Sequence, residues 1–201
     1  MTITNKVVLL GVISVYLCTS CRTNHVAETD GTTGATKVYG KNEIVLPPPS
    51  GDYEVLGSQK GLKGFAIRYD GKLYRGGEPY DDSAAQTLHD WGVKTIISIT
   101  PTELERKFCH DHGFQLIEIP FSKTKGPTVA DLNRFKNTIQ TGSGPFYMHC
   151  VGGSHRGGVL GVTYRTHLLD WPYEKALVEY GRLGGDLKGD HNMLEAVRDA
   201  K

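Results

Sequence analysis

Residues 145–158 have the sequence PFYMHCVGGSHRGG, which joins a short apolar segment to a glycine-rich turn. The apolar residues 146–148 predict a buried strand, and the apolar spacing from Val159 to Leu169 predicts a helix directly after the turn. The first N–H groups of a helix have no intrahelical partner, and the helix dipole adds positive potential there. The sequence therefore predicts an anion-binding turn between strand and helix.

Two side chains in this turn, a cysteine and an arginine, are suited to catalysis on a phosphate group. Cys150 lies where a thiolate is stabilised, at a helix N-terminus and close to a cation. Arg156 presents a planar pair of donors that fits phosphate oxygens. A thiolate beside an oxyanion-binding loop suits displacement at phosphorus through a covalent intermediate. The competing explanation is a buried structural cysteine that happens to precede a glycine-rich turn.

The turn resembles the H-C-x-x-G-x-x-R signature of the cysteine-dependent tyrosine and dual-specificity phosphatases. His149, Cys150, Gly153 and Arg156 fill its four fixed positions. The resemblance implies a nucleophilic Cys150, an Arg156 that holds the transition state, a His149 that orients the loop, and no cofactor. It also implies that phosphate is bound by the backbone amides of Val151, Gly152, Gly153, Ser154, His155 and Arg156.

A second motif lies about seventy residues earlier in the chain. It resembles the L-Y-R-x-G-x-P pattern of the bacterial dual-specificity-like, or atypical, branch, and it is formed by Leu73, Tyr74, Arg75, Gly77 and Pro79. Arg75 is interpreted as a structural residue that ties this turn to the core.

The expected general acid is missing from its usual place. The resemblance puts an aspartic acid on a loop about thirty residues before the cysteine, but residues 120–127, PFSKTKGP, contain no carboxylate. Histidine titrates in a suitable range, so His155 inside the turn is one candidate. Asp131 is the second candidate, and Glu118 and Asp186 are alternatives.

A further departure follows the arginine. The family usually has Ser or Thr there, whose hydroxyl helps the thiolate to leave, whereas this chain has Gly157 followed by Gly158. The sequence therefore predicts slow hydrolysis of the phosphocysteine.

The remaining elements predict an α/β fold with a central, mostly parallel sheet flanked by helices. A hairpin is expected at residues 65–74, and a capped helix is expected to start at Thr100, with Pro101 in its first position. The other predicted helices are 82–91, a helix capped by Thr128, 173–183 and 192–199, and the other predicted strands are 94–99 and 114–119. Cys109, His110 and His112 do not share one helix face, so no metal site is predicted.

The N-terminus resembles a bacterial lipoprotein signal. Lys6 is followed by the apolar run Val7–Leu17 and then by small residues before Cys21, although Cys18 occupies a position where Leu is usual. The resemblance implies cleavage after residue 20 and a lipid on Cys21; an ordinary secretory signal or an uncleaved anchor is the alternative. Arg22, in place of aspartate, indicates a periplasm-facing protein of the outer rather than the inner membrane. Whether Cys109 pairs with Cys150 there stays open.

The predicted organisation is a signal at 1–20, a flexible linker at 21–58 and a phosphatase-like domain at 59–201. The linker is rich in Thr, Gly and Asp and includes three consecutive prolines, 47–49. With 22% charged residues and a formal net charge of +1, the chain has no basic excess for binding nucleic acid.

The leading hypothesis is a phosphatase acting on a phosphorylated protein or a small phosphorylated metabolite, of phosphotyrosine, dual-specificity or inositol-phosphate type. The two departures favour an alternative, a weakly active or inactive pseudophosphatase that binds a phosphorylated ligand. A sulfurtransferase is a third possibility, since rhodaneses also place a cysteine in a short loop, but the arginine-containing signature argues against it.

Overall fold

The computed structural model describes residues 52–201, which contain six strands and seven helical segments. The strands are β1 Tyr53–Gly57, β2 Ala66–Tyr69, β3 Leu73–Gly76, β4 Thr95–Ser98, β5 Gln115–Glu118 and β6 Phe146–His149. The α-helices are α1 Ser83–Asp90, α2 Glu103–His112, α3 Val129–Thr141, α4 Arg156–Thr163, α5 Tyr173–Arg182 and α6 His191–Asp199, and a π-helical segment, Tyr164–Leu168, continues α4.

The six strands form one sheet in the order β1-β2-β3-β6-β4-β5. The pairs β1–β2 and β2–β3 are antiparallel, whereas β3–β6, β6–β4 and β4–β5 are parallel. The predicted α/β fold with a mostly parallel sheet is therefore confirmed. Strand β6 lies between β3 and β4, so its carboxyl end, where Cys150 follows, is at the middle of the sheet.

Both faces of the sheet are covered, which explains why the central strands are apolar at consecutive positions. In β4, Ile96 packs in a cluster with α1 and α2, and Ile97 packs in the larger cluster with α3, α4, α5 and α6. In β6, Tyr147 packs in the cluster with α1 and α2, and Met148 packs in the larger cluster. The site helix α4 therefore lies in the larger core, against α5 and α6.

Two sequence predictions need correction. The linker was expected to reach residue 58, but Tyr53–Gly57 is the edge strand of the sheet, and Tyr53 is buried. Helix α2 begins after Thr102, whose side chain accepts a hydrogen bond from the amide of Glu105, and not after Thr100. Thr102 is extended and has its own hydroxyl to cap the helix, so Pro101 precedes the helix.

The site helix begins at Arg156, three residues before the predicted Val159, and the other predicted elements are present within two residues of their expected ends. Thr128 caps α3 as predicted, and Asp131 completes a capping box with it. The predicted signal, the lipidation of Cys21 and most of the predicted linker lie outside the described residues. Among residues 52–201, no helix is both long enough and apolar enough to cross a membrane.

Candidate active site

The nucleophile position is at the carboxyl end of β6. Cys150 follows the strand and is only 4% exposed, and the loop after it leads to Arg156, the first residue of α4. The amides of Gly158 and Val159 donate to the carbonyls of Ser154 and His155 and so begin the helical hydrogen bonds. The amides before them have no helical partner, which is the local geometry that favours anion binding at a helix N-terminus.

Backbone contacts fix the first half of this loop. Gly153 has a φ of 82°, and a Cβ there would overlap the carbonyl of Gly76 and lie 2.8 Å from the nitrogen of Gly77. The amide of Glu78 donates to the carbonyl of Val151 at 3.2 Å. The turn after β3 therefore holds the loop by direct backbone packing, which only glycine permits at position 153.

Arg75 is structural, as the sequence suggests. Its side chain is buried, and its guanidinium donates to the hydroxyl of Tyr69 at 3.2 Å and to the carbonyl of Leu183 at 3.1 Å. A Cβ on Gly158 or Gly161 of α4 would lie within 3.4 Å of its Nη1. Arg75 therefore fills the space under α4 and joins the hairpin to the end of α5.

The glycines of α4 have different surroundings. A Cβ on Gly158 would lie 2.6 Å from Cε2 of Tyr180, and one on Gly161 would overlap the hydroxyl of Tyr69. A Cβ on Gly157 would meet Cγ of Arg75 at 3.6 Å, which is an ordinary contact. Gly158 and Gly161 are therefore required by packing, whereas Gly157 is not.

His149 supports the start of the loop through a buried acid that sequence reasoning missed. Its Nε2 lies 2.6 Å from a carboxylate oxygen of Glu105, and Ser98 donates to the other oxygen at 2.7 Å. All three side chains are buried. A buried carboxylate requires partners of this kind, and here it ties α2 to the ends of β4 and β6. The only sequence signal was an acidic residue three positions after the Thr102 cap.

His155 is held by a second buried acid, Asp190, which the sequence also did not indicate. Nδ1 of His155 lies 2.5 Å from Oδ2 of Asp190, and the hydroxyl of Tyr180 donates to the same oxygen. The ammonium of Lys123 lies 2.9 Å from Oδ1. Burial opposes ionisation of Asp190, but the hydrogen bonds from Tyr180, His155 and Lys123 outweigh it and lower its pKa to about 2.

The other candidate acids are engaged elsewhere. Asp131 accepts from the amide and hydroxyl of Thr128 in the cap of α3, and none of its hydrogen bonds reaches the Cys150 loop. Glu118 forms a salt bridge with Arg106, and Asp186 accepts from amides of its own turn. Of the four candidates, only His155 lies in the Cys150–Arg156 loop.

The loop of residues 120–127 contacts the site through lysine instead of a carboxylate. Lys123 pairs with Asp190, and a Cβ on the buried Gly126 would lie 3.2 Å from Cα of Met193 in α6. The loop is thereby fixed against the same segment that holds His155.

Cys109 and Cys150 are both free thiols in the structure. They pack in different apolar clusters. Burial, with a smaller contribution from Glu105, raises the pKa of the Cys109 thiol to about 12. Cys109 is therefore an inert core residue of α2.

Comparison with known proteins agrees with this geometry. A family model described as a tyrosine phosphatase family matches residues 63–197. No curated protein sequence matches the chain. Among solved structures, the TpbA of P. aeruginosa in complex with phosphotyrosine is 21% identical, with a TM-score of 0.58 over 72% of this chain and 88% of that one.

Two further structures have similar folds. The catalytic core of the PP-IP phosphatase SIW14 of S. cerevisiae is 20% identical, with a TM-score of 0.53 over 64% of this chain and 82% of that one. PTPMT1 in complex with PI(5)P is 17% identical, with a TM-score of 0.50 over 67% of this chain and 96% of that one. Because the family match spans the sheet from β2 onward and the whole Cys150–Arg156 loop, this chain belongs to the tyrosine phosphatase family, the cysteine-dependent phosphatases of tyrosine and dual-specificity type.

Proposed function

We propose that this protein hydrolyses phosphate monoesters through a phosphocysteine intermediate on Cys150. The observation that carries the proposal is the position of Cys150, which directly follows the central strand and begins a loop that packs against the turn after β3. Arg156 begins the helix at the other end of that loop. Nucleophile and oxyanion donors are thus held on one rigid unit, as covalent catalysis at phosphorus requires.

The proposed chemistry has two steps. The Cys150 thiolate attacks phosphorus, while the loop amides and the guanidinium of Arg156 hold the three equatorial oxygens. Water then hydrolyses the phosphocysteine and regenerates the thiolate. The bidentate fork of Arg156 is the part of this site that best fits a trigonal-bipyramidal phosphoryl group.

The substrate class comes from the similar structures. TpbA was solved with phosphotyrosine, PTPMT1 with PI(5)P, and SIW14 is a PP-IP phosphatase. These support phosphotyrosine in a protein, or a phosphorylated inositol compound, as the substrate of the present chain. An aryl phosphate is the simplest probe, because it carries the same reacting group as phosphotyrosine.

The test compares two single-thiol variants, Cys150→Ser and Cys109→Ser. We expect wild type and Cys109→Ser to release phosphate from p-nitrophenyl phosphate, and Cys150→Ser to lose activity by at least about a thousandfold while staying folded. Mass spectrometry of the acid-quenched wild type should find phosphate on the peptide that contains Cys150.

Retained activity in Cys150→Ser would refute the mechanism. Tight binding of phosphotyrosine without turnover by the wild type would favour the alternative, a pseudophosphatase. Production of thiocyanate from thiosulfate and cyanide would instead indicate a sulfurtransferase.

We further propose that the protein is a lipoprotein of the cell envelope, held at the outer membrane and facing the periplasm. The support is the sequence alone: an apolar run, small residues and a cysteine at position 21. The mature protein should begin with an acylated Cys21. Finding Cys21 unmodified by mass spectrometry would refute the anchor and leave the catalytic proposal untouched.

A further inference from the structure

Asp190 is the most heavily bonded buried acid in the described part of the chain. It has no exposed surface, yet its carboxylate contacts donors from three separate segments: His155 of the site loop, Tyr180 of α5 and Lys123 of the 120–127 loop. The amide of Asp186 adds a longer contact of 3.3 Å. A buried charge needs such partners, but stability alone gives no reason for one of them to be a histidine in the phosphate loop.

We propose that Asp190 positions His155 to transfer the proton in both chemical steps, replacing the carboxylate that the 120–127 loop lacks. This rests on the phosphatase function proposed above. His155 is then the catalytic acid and base, and Asp190 is a positioning residue.

The contact with Asp190 determines which nitrogen of His155 is available. An ionised carboxylate can only accept, so the proton between the two side chains belongs to Nδ1 of His155. Among residues 52–201, no partner binds the other nitrogen, Nε2. The His155 side chain is 42% exposed and lies one residue before Arg156, so Nε2 is open to a ligand of this loop. A carboxylate on Nδ1 fixes the tautomer and the orientation of the imidazole, the arrangement that protein acid–base catalysis uses repeatedly.

The proton balance is complete with these groups. In the first step the S–P bond to Cys150 forms and the bond from phosphorus to the leaving oxygen breaks. The electron pair goes to that oxygen, which takes the proton of His155 Nε2. In the second step Nε2 takes a proton from water, the water oxygen bonds to phosphorus, and the S–P bond breaks with its electron pair returning to sulfur. His155 is again doubly protonated, and inorganic phosphate is the product.

Lys123 gives the 120–127 loop a part in this arrangement. Its ammonium lies 2.9 Å from Oδ1 of Asp190, on the carboxylate oxygen that His155 does not use. The loop therefore contributes a cation that favours the ionised form of Asp190. The carboxylate that the family usually has on this loop is here provided by Asp190, at the start of α6.

Leaving-group dependence tests the proposal. Asp190→Asn is compared with wild type on phenyl phosphate, whose phenolate needs a proton to depart, and on 2,4-dinitrophenyl phosphate, whose phenolate departs without one. A positioned general acid contributes roughly 10²- to 10⁴-fold. We expect Asp190→Asn to lose at least about 10-fold more kcat/KM on phenyl phosphate than on the dinitro substrate.

The matched control is Asp186→Asn, the same chemical change four residues away at an exposed side chain that bonds only its own turn. It should give the same substrate ratio as wild type. Equal losses on both substrates, or no loss, in a folded Asp190→Asn protein would overturn the proposal, since a purely structural role lowers both rates alike.

A second measurement does not require the variant to fold. Nitrogen-15 NMR of wild type should show the His155 ring protonated at Nδ1, with Nε2 as the nitrogen that exchanges its proton. A neutral ring protonated at Nε2 would overturn the proposal. If the wild type shows this ring pattern yet neither forms phosphocysteine nor turns over either substrate, the phosphatase function fails, and the proposed role of His155 in transferring protons fails with it.

Discussion

The two halves of the Cys150–Arg156 loop are held in different ways. In the first half, Gly153 lies directly against the backbone of Gly76 and Gly77, with no room for another atom, and the carbonyl of Val151 accepts from the amide of Glu78. From Ser154 to Arg156 the loop is held by a charged side chain, the contact of His155 with Asp190. The first half should therefore be sensitive to added volume, and the second to lost charge.

The largest expected effect comes from adding one carbon to the first half. Gly153→Ala forces a left-handed backbone on alanine and a clash with Gly76. We expect the free energy of unfolding to fall by about 3 kcal/mol or more, with loss of phosphatase activity. Urea denaturation followed by circular dichroism measures the change.

Gly152→Ala is the control for that experiment, since its Cβ would lie in open space and its φ is not positive. Its unfolding midpoint should stay close to wild type. If Gly153→Ala unfolds at the same urea concentration as Gly152→Ala, the first half is not held by steric contact.

The second half should show its dependence on charge in the pH profile of stability. The pKa of Asp190 is about 2 in the folded protein and 3.8 as its ordinary value. A lowered pKa in the folded state means that the stabilisation is complete above about pH 4 and is lost as pH falls through 2. The stability advantage of wild type over Asp190→Asn should therefore shrink by about 2 kcal/mol between pH 5 and pH 2.

Tyr180→Phe provides a graded test, because it removes one of the hydrogen bonds that lower the pKa of Asp190. Its acid-induced loss of stability should be smaller than in wild type and should level off at a higher pH, because the loss ends near the folded-state pKa of Asp190. A stability difference between wild type and Asp190→Asn that does not change with pH would show that Asp190 is not held ionised by these contacts.

The smallest effect is expected at Gly157, where the loop joins α4. The structure has room for a side chain there, and the Cβ would lie 3.8 Å from the nitrogen of Cys150. Gly157→Ser should supply the missing hydroxyl to the departing sulfur and raise kcat by about 10-fold, with a smaller pre-steady-state burst. Gly157→Ala fills the same space without the hydroxyl, so a similar gain in both variants would assign the effect to helix order.

The local strand–turn–helix pattern of the site could be read from the sequence, whereas the buried acids that contact it could not. Cys150, Gly153 and Arg156 belong to a local strand–turn–helix pattern, which eight adjacent positions define. Asp190 lies 35 residues after His155 and meets it only because α6 packs against α4. Glu105 likewise reaches His149 across 44 residues.

The fold, too, was predictable where the sequence pattern is local and not where an element depends on distant contacts. The helices and central strands have strong local periodicity, but β1 is five residues long and is defined by its pairing with β2. Nothing within Tyr53–Gly57 separates it from the preceding linker. The sequence likewise did not indicate that Asp131, the second candidate general acid, uses its carboxylate in the cap of its own helix.

The glycines of α4 also limit how this sequence can diverge during evolution. A Cβ at position 158 would clash with the ring of Tyr180, and a Cβ at position 161 would clash with the hydroxyl of Tyr69. A lineage that acquires alanine at either glycine must reduce the facing aromatic residue at the same time, and both tyrosines also bind charged groups, Asp190 and Arg75. The residue types at positions 158 and 180 should therefore change together or stay the same during evolution. This pair of positions can be used to recognise distant homologues with the same site architecture.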